Sequence, residues 1–172
     1  MTMAETGWQG DCYRELRARG VRHFCYVPDS GHAALITAAR LDPDAVALGL
    51  AAEHEGVAVI AGLHLGGGKG VLLMQSSGVG NCVNYLSLIK HGRFPFLALV
   101  TMRGEFGEQN PWQYPMGQAT EAVLRAMGVI TLRADAAADA AVTVAAACDM
   151  ADRGGQAVAV LLGQRLLGAK AF

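Results

Sequence analysis

Glu55 stands in the stretch "GLAAEHEGVAVIAGLHLGGGKGVLLMQSSGVGN", among small apolar residues and ahead of a serine- and glycine-rich turn. A carboxylate that faces an apolar interface needs a dedicated partner, or it takes up a proton instead. Glu55 is therefore the first candidate for acid–base chemistry. Its neighbour Glu53 has a simpler reading, as an acid in a first helical turn favoured by the helix macrodipole. For Glu55 that reading conflicts with Val57, Ala58, Val59, Ile60 and Ala61, which follow almost at once. Further on, "QSSGVGN" (Gln75, Ser76, Ser77, Gly78, Val79, Gly80, Asn81) lies between a strand and a helix. Such a turn either offers backbone N–H groups to an anion or caps a helix with a hydroxyl. It is not a Walker loop, which needs Gly-Lys-Ser/Thr.

Three more groups have the residue types for chemistry. Asp29, Ser30 and His32 sit close together in "VPDSGH", where capping of a helix is the default role. They are sequence neighbours without a GxSxG elbow, so a hydrolase triad is excluded. His32 and His54 read as surface or satisfied core histidines. Arg103, with Glu105 and Glu108, forms either a solvated ion-pair set or a guanidinium for an anionic substrate. The glycines of "GGGKG" (Gly66–Gly70) follow a helix and precede a strand, which makes a helix end and tight turn of them rather than a phosphate loop. Cys12, Cys25, Cys82 and Cys148 show no metal-ligand spacing and read as buried reduced thiols of a cytoplasmic protein.

These residues need a frame. The chain of 172 residues is expected to be one domain, 1–172, and its 52% hydrophobic content suits a surface partly hidden against a partner. A net charge of −1 without a basic cluster excludes nucleic acid as a ligand. No run approaches the ~18 apolar residues of a membrane span, and "MTMAETGWQGDCYREL" has no signal-peptide core. Strands are predicted at His23–Val27, Ala45–Leu50, Gly70–Gln75, Phe96–Met102, Val129–Leu132 and Ala157–Leu162. Their near-continuous apolar character suits cover on both faces. Helices are predicted at Gly7–Arg19, Gly31–Leu41, Glu53–Leu65, Gly80–His91, Ala119–Met127 and Asp135–Asp152, with a long loop at Thr101–Gln118. The alternation predicts a doubly wound α/β fold, a mostly parallel six-stranded sheet with helices on both faces. In such a sheet "PDSGH", "EHEG", "QSSGVGN" and the long loop converge on the carboxyl edge of the strands.

Together these motifs resemble the pyrimidine-binding (PYR) domain of thiamine diphosphate-dependent decarboxylases. The order "VPDSG…EHEG…MQSSGVGN…RGEFGE…PWQYPMG" is similar to the alpha subunit of sulfopyruvate decarboxylase and the matching half of phosphonopyruvate decarboxylase, over roughly Val21 to Gly128. The resemblance implies that Glu55 hydrogen-bonds N1′ of the cofactor's aminopyrimidine and promotes its 4′-imino form, which deprotonates the thiazolium for attack on a 2-oxo acid. It implies that Pro28, Gln75, Ser76, Ser77, Gly78 and Gly80 line the cofactor pocket, and that Asp29, Ser30, His32, Arg103 and Gln113 lie on the substrate side. Met102 stands where relatives often have a histidine. No GDG motif occurs in the chain, so the resemblance implies half of a split enzyme. Mg²⁺ and the diphosphate then belong mainly to a beta subunit, in an assembly such as α2β2 or larger, and this chain supplies no metal ligand. The implied reaction is decarboxylation of sulfopyruvate; phosphonopyruvate is the alternative substrate, and a non-catalytic PYR-like binding or regulatory subunit the alternative role. A stand-alone nucleotide binder is disfavoured, because "VPDSGH" lacks the fingerprint glycines.

Overall fold

Successive strand residues point to opposite faces of a sheet, and in the middle of this chain both faces are apolar. In β3 (Gly70–Gln75), Val71 and Leu73 enter one core while Leu72 and Met74 enter the other. β4 (Phe96–Thr101) divides Leu97 and Leu99 from Phe96, Ala98 and Val100 in the same way. β6 (Ala157–Leu162) divides Val158, Val160 and Leu162 from Ala159 and Leu161. Strands of this kind require a helical layer on each side.

The structure, a computed structural model, describes residues 7–168; residues 1–6 and 169–172 of the expected domain lie outside them. One face is covered by α1 (Trp8–Ala18), α2 (Ala33–Leu41) and α7 (Ala137–Gly154). The other is covered by α3 (Glu53–Leu65), α4 (Ser76–Cys82), α5 (Leu86–Gly92) and α6 (Tyr114–Ala126). With β1 (His23–Tyr26), β2 (Val46–Gly49) and β5 (Ile130–Ala134) the sheet has six strands in the order β2-β1-β3-β4-β6-β5, every pairing parallel. This is the expected doubly wound α/β fold. A last short helix, α8 (Gln164–Leu167), follows β6. The Gly66–Gly70 turn lies at the amino edge as read from the sequence, with Gly66 ending α3 and Gly67 at φ 74°.

Three expectations need correction. The outer strand β2 is largely exposed rather than covered on both faces, because it pairs only with β1. The helix expected at Gly80–His91 begins at Ser76, directly off β3, and breaks between α4 and α5 at Val83–Tyr85. The helix expected at Ala119–Met127 begins at Tyr114, with Pro115 in its first turn, where a missing N–H costs nothing.

The shortened loop after β4 is organised around one carboxylate. Glu108 accepts from Arg103 Nε at 2.6 Å and Nη2 at 2.7 Å, a bidentate pair. It also accepts from the backbone N–H groups of Gly104, Gln109 and Asn110 at 3.2, 3.1 and 3.0 Å, and from the Gln164 amide at 3.0 Å. The oxygen of that amide accepts from the N–H groups of Glu105 and Phe106 at 2.9 and 3.0 Å, pinning the loop to α8. Gly117 admits this loop: a β-carbon there would lie 2.8 Å from the carbonyl carbon of Arg103.

The Arg103 guanidinium and these N–H groups, opposing the cost of burial, hold the Glu108 carboxyl far below the usual carboxylate range. The unfolded chain therefore takes up this proton first on acidification. The stabilisation is complete above the ordinary glutamate value of about 4.3 and is lost as pH falls below it. Glu108→Gln should cost about 3–5 kcal/mol at neutral pH, the usual effect of removing one partner of a buried pair. Chemical denaturation across pH should show that gap narrowing in acid; a gap independent of pH would refute the role given to Glu108.

Candidate active site

β1 and β3 are neighbours whose connections leave in opposite directions, toward β2 through α2 and toward β4 through α4 and α5. Divergence of this kind opens a crevice at the carboxyl ends of the two strands. Asp29 follows β1 there and caps the 3-10 turn Ser30–His32, accepting from the Gly31 N–H at 3.2 Å. It also accepts from the Thr101 hydroxyl at 2.6 Å and the Gln75 amide at 3.3 Å, joining the ends of β1, β3 and β4. The Gln75 oxygen accepts in turn from the Ser77 hydroxyl at 2.9 Å. Burial pushes the Asp29 carboxyl up, but Thr101, His32, Gln75 and Gly31 outweigh it, and the carboxyl lies below its ordinary value. Asp29 is thus an ionised acceptor at neutral pH.

His32 does not reach the substrate side. It is 1% exposed, with Nε2 3.1 Å from the Leu99 carbonyl and 3.3 Å from that of Met74. Burial holds its imidazole below the ordinary histidine value, against the pull of Asp29 and the two carbonyls. A neutral ring donating to two strand ends is a structural tie. Pro28 and Ser30 sit exposed at the rim beside it.

The two glutamates exchange the places that the sequence suggests for them. Glu53 is the buried one, 8% exposed, on the face of α3 that also carries Gly56, Val57, Ile60 and Ala61. Glu55 is only half-buried and bends back over the start of its own helix, where it accepts from the N–H groups of Ala51 at 3.0 Å and Ala52 at 3.5 Å. It does the work of a helix cap. Glu53 reaches α4 instead: its Oε2 accepts from the Asn81 amide at 2.8 Å, and its carboxylate lies over Gly78. A β-carbon at residue 78 would stand 2.6 Å from Cγ and Cδ of Glu53, so only glycine leaves room for this group. Glu53, Asn81 and Thr101 are the site residues that the sequence reading passes over. The signal for Glu53 is helical phase: Gly56, Val57 and Ile60 are its i+3, i+4 and i+7 neighbours.

Other expected residues scatter. Ser77 and Gln75 are half-buried and linked to Asp29, but Ser76 is fully buried and its hydroxyl oxygen accepts from the Arg103 N–H at 3.1 Å. Gly80 faces α6, where a β-carbon would stand 3.2 Å from Met116 Sδ. Arg103 borders a recess with Asp29, Ser30, Gly31, Thr101 and Leu167, yet its guanidinium is held by Glu108. Of the two readings of Arg103, the ion pair is therefore the one seen, and it is buried rather than solvated. Gln113 is half-buried in the turn before α6, with Oε1 shielded and lacking a hydrogen-bond partner. Met102 is core, 1% exposed. The four cysteines are free and buried, and burial pushes the Cys82 thiol up to about 12, which makes nucleophilic chemistry there inaccessible. The carboxylate of Glu53 is thus buried beside a bare glycine and held by one amide donor.

No protein-family model matches the chain. Among solved structures it is similar to a thiamine diphosphate-dependent 4-hydroxybenzoylformate decarboxylase of Rhodococcus jostii, at TM-score 0.76 and 16% identity over 96% of this chain and 32% of that one. It is similar also to the 2-oxoglutarate:ferredoxin oxidoreductase of Magnetococcus marinus, at TM-score 0.73 and 14% identity over 94% of this chain and 29% of that one. The fold is thus a PYR-type fold, and the chain spans about a third of each of those proteins. Sequence comparison is more specific. A phosphonopyruvate decarboxylase of Streptomyces viridochromogenes is 38% identical over 112 residues, 64% of this chain but 28% of that protein. The sulfopyruvate decarboxylase subunit alpha of Methanococcus maripaludis is 34% identical over 118 residues, 68% of this chain and 71% of its own length. That of Methanothermobacter thermautotrophicus is 33% identical over 151 residues, 87% of this chain and 92% of its own length. Matched nearly end to end by such a subunit, the chain belongs to the sulfopyruvate decarboxylase alpha-subunit family.

Proposed function

We propose that this chain is the cofactor-activating subunit of a thiamine diphosphate-dependent decarboxylase that converts sulfopyruvate to sulfoacetaldehyde and CO₂, with Glu53 rather than Glu55 as its catalytic carboxylate. The observation that carries the assignment is the cradle at Gly78. There a buried carboxylate lies against backbone with no side chain between, at the strand-end crevice where α/β sheets bind ligands. A carboxylate held in this way suits an aminopyrimidine, a flat ring with a nitrogen that can share a proton with an acid. Thiamine diphosphate, when bound, supplies the electron sink for loss of CO₂. Glu53 would hold the ring and share a proton with its nitrogen, through the oxygen that Asn81 leaves free. Ser77 and Gln75, oriented by Asp29, lie at the start of the same helix α4 and the end of β3. The apolar residues around α3 and α4 exclude water, which strengthens the acid's interaction with a bound ligand.

The relatives named subunit alpha support a partner. In this reading a beta subunit supplies the diphosphate-binding domain and the Mg²⁺ ligands, in an assembly such as α2β2, and the site lies between the subunits. Among the described residues no group of three or more His, Cys, Asp or Glu is placed to hold a metal ion. Arg103, bound to Glu108, serves the loop rather than the sulfonate. Four buried free cysteines suit a reducing cytoplasm. A non-catalytic role is disfavoured, since a binding module has no use for a buried carboxylate aimed at a bare glycine. Phosphonopyruvate stays in the test as competing substrate, because its decarboxylase matches at 38% identity.

The test is CO₂ release by the chain reconstituted with its partner, thiamine diphosphate and Mg²⁺, on sulfopyruvate and on phosphonopyruvate. Sulfopyruvate should be the better substrate by kcat/KM; preference for phosphonopyruvate would overturn the substrate assignment. Glu53→Gln should lower turnover by about 10²–10⁴-fold, the range for loss of a general acid–base group. Glu55→Gln should keep turnover and most of the stability, because its amide oxygen can still accept from the N–H groups at the start of α3. The reverse pattern would restore Glu55 and dismiss Glu53. Gly78→Ala should displace the Glu53 carboxylate and lower kcat while the fold persists; full activity in that variant would refute the cradle.

A further inference from the structure

We propose that Asn81 is a positioning residue that decides which oxygen of Glu53 carries the working proton, an inference that rests on the role of Glu53 proposed above. Asn81 lies three residues after Gly78 on α4, so the two share one face of the helix. Helical side chains lean toward the helix N-terminus, which brings the Asn81 amide back toward the space that Gly78 leaves empty. There it meets Glu53 at the start of α3, and Nδ2 donates to Oε2 at 2.8 Å. Oε1 is directed to the other side, over the backbone of Gly78. The two oxygens are thereby made unequal.

The consequence follows from donor and acceptor bookkeeping. A protonated carboxyl can place its hydrogen on either oxygen. The hydroxyl oxygen of a carboxyl is a poorer acceptor than its carbonyl oxygen, so an N–H donating to Oε2 favours Oε2 as the carbonyl oxygen. The proton is thereby biased toward Oε1, the oxygen over the glycine. An unconstrained carboxyl would spend part of its time with the proton on the wrong oxygen or rotated away from the crevice. Asparagine suits the task because its –NH₂ donates without adding charge, and two rotatable bonds leave little freedom to lose. Asn81 itself is exposed, so replacing it leaves the core intact.

The informative variant is Asn81→Asp, of the same shape but with an acceptor in place of the donor, alongside Asn81→Ala and Glu53→Gln. Each is assembled with the partner subunit, thiamine diphosphate and Mg²⁺. Four quantities are read: kcat, KM for cofactor and for 2-oxo acid, and the near-ultraviolet circular dichroism of the bound pyrimidine, which reports its tautomer. Asn81→Asp should lower kcat by on the order of tenfold or more, the scale of one hydrogen bond to a charged group. Both KM values should hold, and the tautomer signal should weaken. Asn81→Ala should show the same split to a smaller degree, because water can replace the amide. An unchanged tautomer signal in Asn81→Asp, with Glu53→Gln abolishing it, would overturn the role of Asn81 alone. So would a rise in cofactor KM without a change in kcat, the mark of a residue that only shapes the pocket. A signal that survives in Glu53→Gln would overturn the reading of Glu53 on which this inference depends.

Discussion

One buried contact, the carboxylate of Glu53 lying over the bare backbone of Gly78, sets the terms for the rest of the molecule. Withdrawing a carboxylate from water is costly unless it is hydrogen-bonded. Here the compensation comes from Asn81 and from the N-terminus of α3, whose partial positive charge favours an acid in the first turn. The contact requires α4 to start without delay at the end of β3, so that residue 78 faces α3. That in turn requires β3 to lie between β1 and β4, with its helices on the α3 side of the sheet. The topology is thus the means by which a glycine and a glutamate 25 positions apart are brought into contact.

Around that contact the carboxyl edge is held by polar groups that face inward. Asp29 brackets β1, β3 and β4 through Gln75 and Thr101, His32 ties β3 to β4 through two carbonyls, and Glu108 gathers Arg103, three backbone N–H groups and Gln164. These groups have little to offer a substrate, because their donors and acceptors are already engaged. Their contribution is rigidity. The proposed proton exchange would depend on donors and acceptors that need no reorganisation when a ligand arrives.

Much of this was readable from the residues. The six strands, their cover on both faces at the centre of the sheet, and the gathering of four motifs at one edge all follow from apolar runs alternating with helical patterns. The expectation that Glu55 faces the apolar interface does not hold, and the reason is geometric: Glu53 is the buried one. Val57 to Ala61 follow Glu55 closely in sequence, but a helix buries residues by its 3.6-residue period, and stepping back from Ile60 through Val57 and Gly56 arrives at Glu53. The serine-glycine segment Ser76–Gly80 reads as a turn because two glycines disfavour a helix. Packing against α3 and α6 overrides that preference, and the same glycines are what permit the close approach. Arg103 looked available for an anion because nothing in the sequence reveals that the loop folds back to place Glu108 against it.

The most direct test of the central claim is a crystal structure of this chain bound to its partner subunit and thiamine diphosphate. The account predicts the pyrimidine ring against Glu53, with its N1′ within about 2.8 Å of Oε1 and the Asn81 amide still on Oε2. A ring placed against Glu55, or a cofactor bound elsewhere with Glu53 and Gly78 left as they stand, would contradict it.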